Sequence, residues 1–396
     1  MRYIIDDKFS GMLLREYLRG VLGLSHGTLT GLKKDPRGIM LNGEHATVRA
    51  VLSAGDELSL ALEDAESALQ LQPVDLPVDV LYEDGACVVC SKPPFMPTHP
   101  SHGHYTDTLA NALAFRYAER GVPFVFRAVN RLDSGTSGAV LVARSRAAAA
   151  MFGQAMQNGG IGKVYLALLR GEGLPDSGVI DAPIARLRES IILRGVAADG
   201  DRALTRYRSI CTCTVGGERC TAVLAEPITG RTHQLRVHFS HIGHPIYGDT
   251  LYPVREELLD ALTRRRETGE ELPQTETDGA LIDRQALHAA LLCFDTPVGL
   301  AGETGDGSTD GARGGAAEQG STAPRTDFAV RHGTRVCVSA PLPDDIRALL
   351  DGEIENRINE AIARCRDACG LCGECDTDGL YGDRNADSLY RSRDEE

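Results

Sequence analysis

The stretch Asn130–Ser145 constrains the chain more than any other. It sets Arg131 and Asp133 two residues apart, passes through the turn-forming run Ser134-Gly135-Thr136-Ser137-Gly138, and continues as the apolar segment Ala139 to Ala143. A short apolar run bounded by such a turn reads as a buried strand, so the turn must hang from the end of that strand with an ionisable pair at its mouth. Rigid scaffolds present chemistry in that way. Taken alone, the same Arg and Asp fit a hairpin brace equally well.

At 396 residues the chain has room for two or three domains, and 42% hydrophobic residues is ordinary for a globular protein with a large core. The formal net charge of -14 argues against indiscriminate nucleic-acid binding but leaves room for a local basic site. Part of the acid sits in peripheral positions: Asp376, Asp378, Asp383, Asp387 and the terminal Asp394-Glu395-Glu396. The N-terminal residues lack the apolar core of a signal peptide and no apolar run is long enough to span a bilayer, so the expected location is cytoplasmic. Eleven cysteines, an odd number, fit reduced thiols better than a disulfide framework.

Residues 3 to 5 read as a strand. Met12, Leu13, Tyr17, Leu18 and Leu22 recur at helical spacing up to Gly23. Ser25 can cap a second helix through Leu32, followed by Lys33, Lys34 and Arg37, and Asn42-Gly43 is a tight-turn signal after Ile39-Met40-Leu41. Val51 to Leu62, with Gly55-Asp56 inside, closes as a turn and strand. Residues 1–62 are therefore expected to form a small domain, 63–76 a linker of acid, Gln and Pro, and the large domain starts near Pro77. The order of elements in 1–62 resembles the RNA-binding module first known from ribosomal protein S-four. The resemblance implies an RNA-holding face of Arg15, Lys33, Lys34 and Arg37; a merely solvated helix face stays open.

In the large domain Val78–Tyr82 and Ala86–Cys90 flank Glu83-Asp84-Gly85, a hairpin signature. Pro93, Pro94, Pro97 and Pro100 force an extended loop containing His99, His102 and His104, with no helical i, i+4 pair that would suggest metal. A helix over Thr108 to Ala118 and a strand over Phe124 to Ala128 lead to the opening stretch, and a helix over Arg146 to Gln157 follows it, stopped by Gly159-Gly160. Gly162 to Gly171 reads as a strand with Lys163, Tyr165 and Ala167 on one face. Then Gly230 to Phe239 packs Arg231, His233, Gln234, Arg236 and His238 together and runs on to Asp249; two arginines suit an anionic, phosphate-bearing substrate.

Together Asn130–Ala143, Gly162–Gly171 and Gly230–Asp249, with Leu81 to Asp84, Ser91-Lys92-Pro93, Arg284 to Ala289 and Ala340 to Pro343, resemble the RluA-type pseudouridine synthases. The resemblance covers most of residues 77–346. It implies an α+β pseudouridine synthase fold around a central mixed, largely antiparallel sheet, preceded by the small α/β RNA-binding domain. It implies isomerisation of specific uridines in ribosomal or transfer RNA, with no cofactor for catalysis. Carried over by motif, Asp133 is the catalytic carboxylate and Arg131 helps hold the target base out of the helix. Tyr165 stacks on the uracil and assists proton removal, and Arg236 pairs with Asp133. Arg231, His233 and Gln234, with Lys33 and Lys34, are expected to bind substrate. The expected partner is RNA, not DNA and not a membrane, engaged by a monomer. The physics agrees: a nearby Arg keeps a desolvated carboxylate charged, and a base inside a stack must be extruded before it can be modified. One departure is Asn130, where the family more often has His; it bears on subgroup and substrate choice.

Two segments read as peripheral: Val254 to Asp283, a charged helix and polar loop, and 299–326, a Gly, Ala, Thr and Ser rich insertion expected to be disordered. Thr334 to Ser339 is the expected last strand and Pro343 to Arg364 one or two helices. The acidic tail 347–396 contains Cys365-x3-Cys369-x2-Cys372-x2-Cys375, a spacing that fits zinc or an iron-sulfur cluster and equally reduced thiols. Cys87, Cys90, Cys211, Cys213 and Cys220 fall on strands and read as core. Two rivals to the isomerase are an RNA binder without catalysis and a glycosidase. The set Asp133, Tyr165 and Arg236 disfavours the first, and the single recurrent acid in the site motifs disfavours the second.

Overall fold

A computed structural model describes residues 2–22, 24, 26–61, 71–187, 193–252, 281–296, 329–332 and 335–368. Gly23, Ser25, Leu62, residues 63–70 of the expected linker, 253–280, the insertion 299–326, and Cys369, Cys372 and Cys375 lie outside them. The chain divides into two units, Met1–Gly162 with Leu292–Pro341 and Lys163–Leu291 with Leu342–Glu396.

In the first unit, β1 (Arg2–Ile4), β2 (Ile39–Leu41), β3 (Glu44–His45) and β4 (Glu57–Leu60) form an antiparallel sheet in the order β1-β4-β2-β3. The β2–β3 hairpin turns on Asn42 and Gly43, both at positive φ (52° and 81°), as an Asn-Gly signal requires. The helix expected over Met12–Leu22 is shorter and wider. Only Leu14–Glu16 (α1) is α-helical; Tyr17–Val21 is a π turn, closed by the Leu22 amide on the Tyr17 carbonyl. The wider turn still buries Tyr17 and Leu18, together with Leu24 and with Leu29 and Leu32 from α2 (His26–Lys34). Arg15, Lys33, Lys34 and Arg37 are all exposed, so none is spent on the core.

Next come β5 (Asp79–Glu83), β6 (Cys87–Lys92), α3 (Leu109–Glu119), β7 (Ser137–Ala143) and α4 (Arg146–Gln157). The expected hairpin β5–β6 is closed by Asp84, whose Oδ1 accepts from the Ala86 and Cys87 amides at 2.8 Å each. β6 and β7 are antiparallel and buried almost throughout, the pattern of a strand covered on both faces. α3 begins with a capping box of Thr108 and Asn111, α4 with Ser145 accepting from the Ala148 amide. Ala147 and Ala150 of α4 join the core of the small sheet, and the Gln154 side chain donates to the Val21 carbonyl. The strand expected over Phe124–Ala128 is absent as such: that segment is irregular and meets β7 through one bridge, Ala128 to Val142. Its backbone still bonds to β7, from Val129 N to Leu141 O and from Ala143 N to Arg127 O, so the periodicity marked real contact without a full ladder.

The second unit is built on β8 (Gly162–Arg170), β9 (Ser177–Asp181), the small β10 (Ile184–Arg186) and β11 (Arg194–Val196) pair, β12 (Leu204–Val215) and β13 (Glu218–Pro227). The antiparallel order is β8-β13-β12-β9. α5 (Gln234–His241) follows β13. Strand β14 (Leu287–Asp295) begins in this unit and ends in the first, where β16 (Arg335–Ser339) pairs with it and with β15 (Ala329–His332). Leu292 and Phe294 then share a core with Val336, Val338, Leu141 and Phe152. Two helices close the described chain, α6 (Asp344–Arg347) and α7 (Gly352–Ala368). The α+β class and the largely antiparallel pairing are as the sequence predicts. Cys87, Cys90, Cys211, Cys213 and Cys220 are buried on strands, with Cys293 and Cys337.

Candidate active site

Asp133 lies in the turn before β7, half-buried, between buried Leu132 and exposed Ser134; Arg131 points outward and is exposed. The turn closes with the Thr136 amide on the Asp133 carbonyl at 3.0 Å. Asn130, Thr98 and Lys92 hold this segment by bonds to its backbone or its neighbours' backbone. The Asn130 amide, buried, donates to Ala139 O at 3.2 Å and accepts from Leu141 N at 2.8 Å, so it completes the β7 edge where the 124–128 segment departs from strand geometry. Thr98 Oγ1 donates to Leu132 O at 3.2 Å. Lys92, fully buried at the end of β6, donates from Nζ to Pro93 O (2.9 Å), Met96 O (2.7 Å) and Ser134 O (2.9 Å). A buried ammonium needs such acceptors, and here they come from two loops, one of them next to Asp133. His99 is near enough to Arg131 that burial and that cation together hold its imidazole below the ordinary range.

In the second unit Tyr165 is buried on β8, opposite Ala225 of β13. On the same face Lys163 is pulled down from its ordinary value by burial, opposed by Glu226. Arg236 is on α5, a helix on which every residue from Gln234 to Ser240 is buried. Its guanidinium makes a fork with Asp249, Nε to Oδ2 at 2.7 Å and a terminal nitrogen to Oδ1 at 2.8 Å, and lies over the Tyr252 ring at 5.0 Å. Asp249 also accepts from the Leu251 and Tyr252 amides. His233, at φ 59°, starts α5 and its Nδ1 is 2.7 Å from Tyr252 Oη. Gln234 is buried: its oxygen accepts from Thr229 Oγ1 and Arg231 N, and its nitrogen donates to Leu204 O and Thr205 Oγ1. That amide braces the loop into α5. Arg231 is exposed, with Nε on the Arg202 carbonyl at 3.0 Å and an ion pair to Asp201 at 3.6 Å.

Arg131 and Asp133 thus share one segment, and Arg231, His233, Gln234 and Arg236 share the start of α5, while Lys33 and Lys34 stand on α2. Lys92, Asp249 and Tyr252 carry no role in the reading of the motifs. A Lys ending an otherwise apolar strand is a signal for the first; the distant partners of Arg236 have no local signal.

A family model described as RNA pseudouridylate synthase matches residues 86–241, the span that holds both the Asp133 turn and α5. The uncharacterized RNA pseudouridine synthase YjbO of Bacillus subtilis is 36% identical over 288 residues, covering 72% of this chain and 92% of that one. The chain belongs to the RluA-type RNA pseudouridine synthases. The ribosomal large subunit pseudouridine synthase D of Vibrio cholerae is 34% identical over 262 residues, 66% of this chain and 76% of that one. Among solved structures, human RNA pseudouridylate synthase domain containing 1 is similar with TM-score 0.43 and 28% identity, over 56% of this chain and 79% of that one. The synthase is accordingly an RNA uridine isomerase. Among its described residues no group of three or more His, Cys, Asp or Glu is placed to hold a metal ion, and no helix is long and apolar enough to cross a membrane.

Proposed function

We propose that the synthase isomerises specific uridines of ribosomal or transfer RNA, with Asp133 as the catalytic carboxylate, Tyr165 stacking on the uracil and assisting proton removal, and Arg131 holding the extruded base. Breaking the bond from ribose to the base nitrogen, turning the uracil and rejoining it through carbon leaves the atom count unchanged, so catalysis needs no cofactor. The observation that carries the reading is the bracing of the Asp133 turn by Lys92, Asn130 and Thr98 on backbone atoms, which positions a half-buried carboxylate rigidly. Arg236, held by Asp249, is proposed as the supporting cation. The ribosomal substrate is supported by the likeness to the Vibrio relative, named for the ribosomal large subunit. Residues 1–62 are proposed as the S-four-like RNA-binding domain, supported by the exposed Arg15, Lys33, Lys34 and Arg37.

Mapping pseudouridine in ribosomal and transfer RNA with and without the gene should reveal lost sites. Restoring the gene should recover them and Asp133→Ala should not, with melting temperature kept, because a half-exposed turn residue contributes little to stability. Full activity in Asp133→Ala would remove the assignment.

A further inference from the structure

The loop after β6 holds a residue whose geometry nothing in the fold explains. Phe95 sits at φ 62°, in a left-handed conformation that glycine adopts freely and an aromatic residue rarely does. Among the described residues two other non-glycine residues share this conformation, and both are polar and bonded: Asn42 to Asp56 and the Glu57 amide, His233 to Tyr252. The Phe95 side chain has no such bond to make, and the residue is 57% exposed, so burial does not account for it either.

The backbone around it is fixed. Pro93 and Pro94 precede it and Pro97 follows. Lys92 Nζ binds the carbonyls of Pro93 and Met96 on either side, the Leu109 amide binds Pro97 O at 2.9 Å, and Thr98 binds Leu132. The third bond of Lys92 goes to Ser134, next to Asp133. The same ammonium therefore ties the Phe95 turn to the turn of the proposed catalytic carboxylate. A rigid, exposed aromatic ring held there is suited to a flat apolar partner, and an RNA-modifying site supplies one in the bases left unstacked when the target is extruded.

We propose that Phe95 is a base-stacking residue: its ring takes the face of a nucleotide beside the target uridine and so contributes to binding and site choice. This rests on the activity proposed above. The test uses the full chain and large-subunit ribosomal RNA transcribed in vitro, hence free of pseudouridine. Phe95→Leu keeps the backbone strain and removes the π face, and Phe95→Gly removes the strain as well. Both should raise KM for RNA about tenfold with kcat nearly unchanged, as loss of one base–aromatic stack implies. Phe95→Tyr should restore KM, and Phe95→Gly should melt no lower than wild type. Ultraviolet crosslinking to the same transcript should place a nucleotide on Phe95. Wild-type KM in Phe95→Leu, or crosslinks that avoid Phe95, would overturn the inference while wild-type pseudouridine formation upholds the activity. A wild-type chain that forms no pseudouridine would sink the activity reading instead, and the crosslink would still decide for or against Phe95.

Discussion

The Asp133 turn and the Arg236 helix are held by opposite means. The turn is braced by Lys92, Asn130 and Thr98 through bonds to backbone carbonyls and amides, and none of those bonds engages a carboxylate. Arg236 is instead fixed by a two-point ion pair whose acid, Asp249, has no exposed side-chain surface. Backbone-directed bracing fixes the segment that carries the acid. A forked ion pair places a cation by neutralising part of it, and does so only while the partner is present. The two segments should therefore fail differently.

Asp249→Ala should have the largest effect on stability. It leaves Arg236 buried beside an empty fork, and loss of one partner of such a pair costs about 3–5 kcal/mol. Urea unfolding measures it; a loss below about 1 kcal/mol would show that the pair does not set the helix. Lys92→Met, nearly the same length, should cost roughly 1–3 kcal/mol because several carbonyls lose a buried donor, and should lower kcat more than it raises KM. Equal and small changes in both would mean that Lys92 merely fills space.

Asn130 sharpens the contrast further. Its amide uses one donor and one acceptor, and a neutral imidazole also offers one of each. Asn130→Ala should cost about 1–3 kcal/mol. Asn130→His should be close to wild type at pH 8 but lose stability as pH falls through the ordinary His range near 6.5, since the doubly protonated ring has no acceptor for the Leu141 amide. A pH-independent melting temperature in that variant would contradict the assigned bonds. The smallest effect belongs to His238 on α5. Burial holds its pKa below 6.5, and its two nitrogens meet Thr205 Oγ1 and Ala182 O at 2.9 Å each. The unfolded chain thus binds this proton first, so stability is present above pH 6.5 and drains as pH falls below it. Comparing melting temperatures of wild type and His238→Gln between pH 7.5 and 5.5 should show a flatter profile in the variant.

What the sequence made legible follows the range of the interactions. The hairpin at Glu83-Asp84-Gly85, the strand from Gly162, the Asn42-Gly43 turn and the buried strand cysteines depend on neighbours a few residues away, and all are where the pattern puts them. The helix over Met12–Leu22 failed in detail because apolar spacing alone does not distinguish an α turn from the wider π turn that seats Tyr17 and Leu18. Phe124–Ala128 failed because a strand needs a ladder, and only β7 decides whether one forms. For the proposed site, motif resemblance pointed to Asp133, Tyr165 and Arg236 but gave no sign of Lys92, Thr98 or Asp249 as what braces them. Asp249 is 13 residues from Arg236, and Lys92 is 42 from Ser134; such partners exist only once the chain is folded.

The strand cysteines have a practical consequence. Burial pushes the Cys90 and Cys220 thiols up to about 12 and Cys213 to about 11, so at neutral pH they are not nucleophiles. Seven of the eleven thiols are shut away in this manner, drawn from both units of the chain. A thiol-reactive dye added to native protein would pass over those seven. Each additional adduct, located by mass spectrometry, would then timestamp which part of the molecule opened first, without a single engineered label.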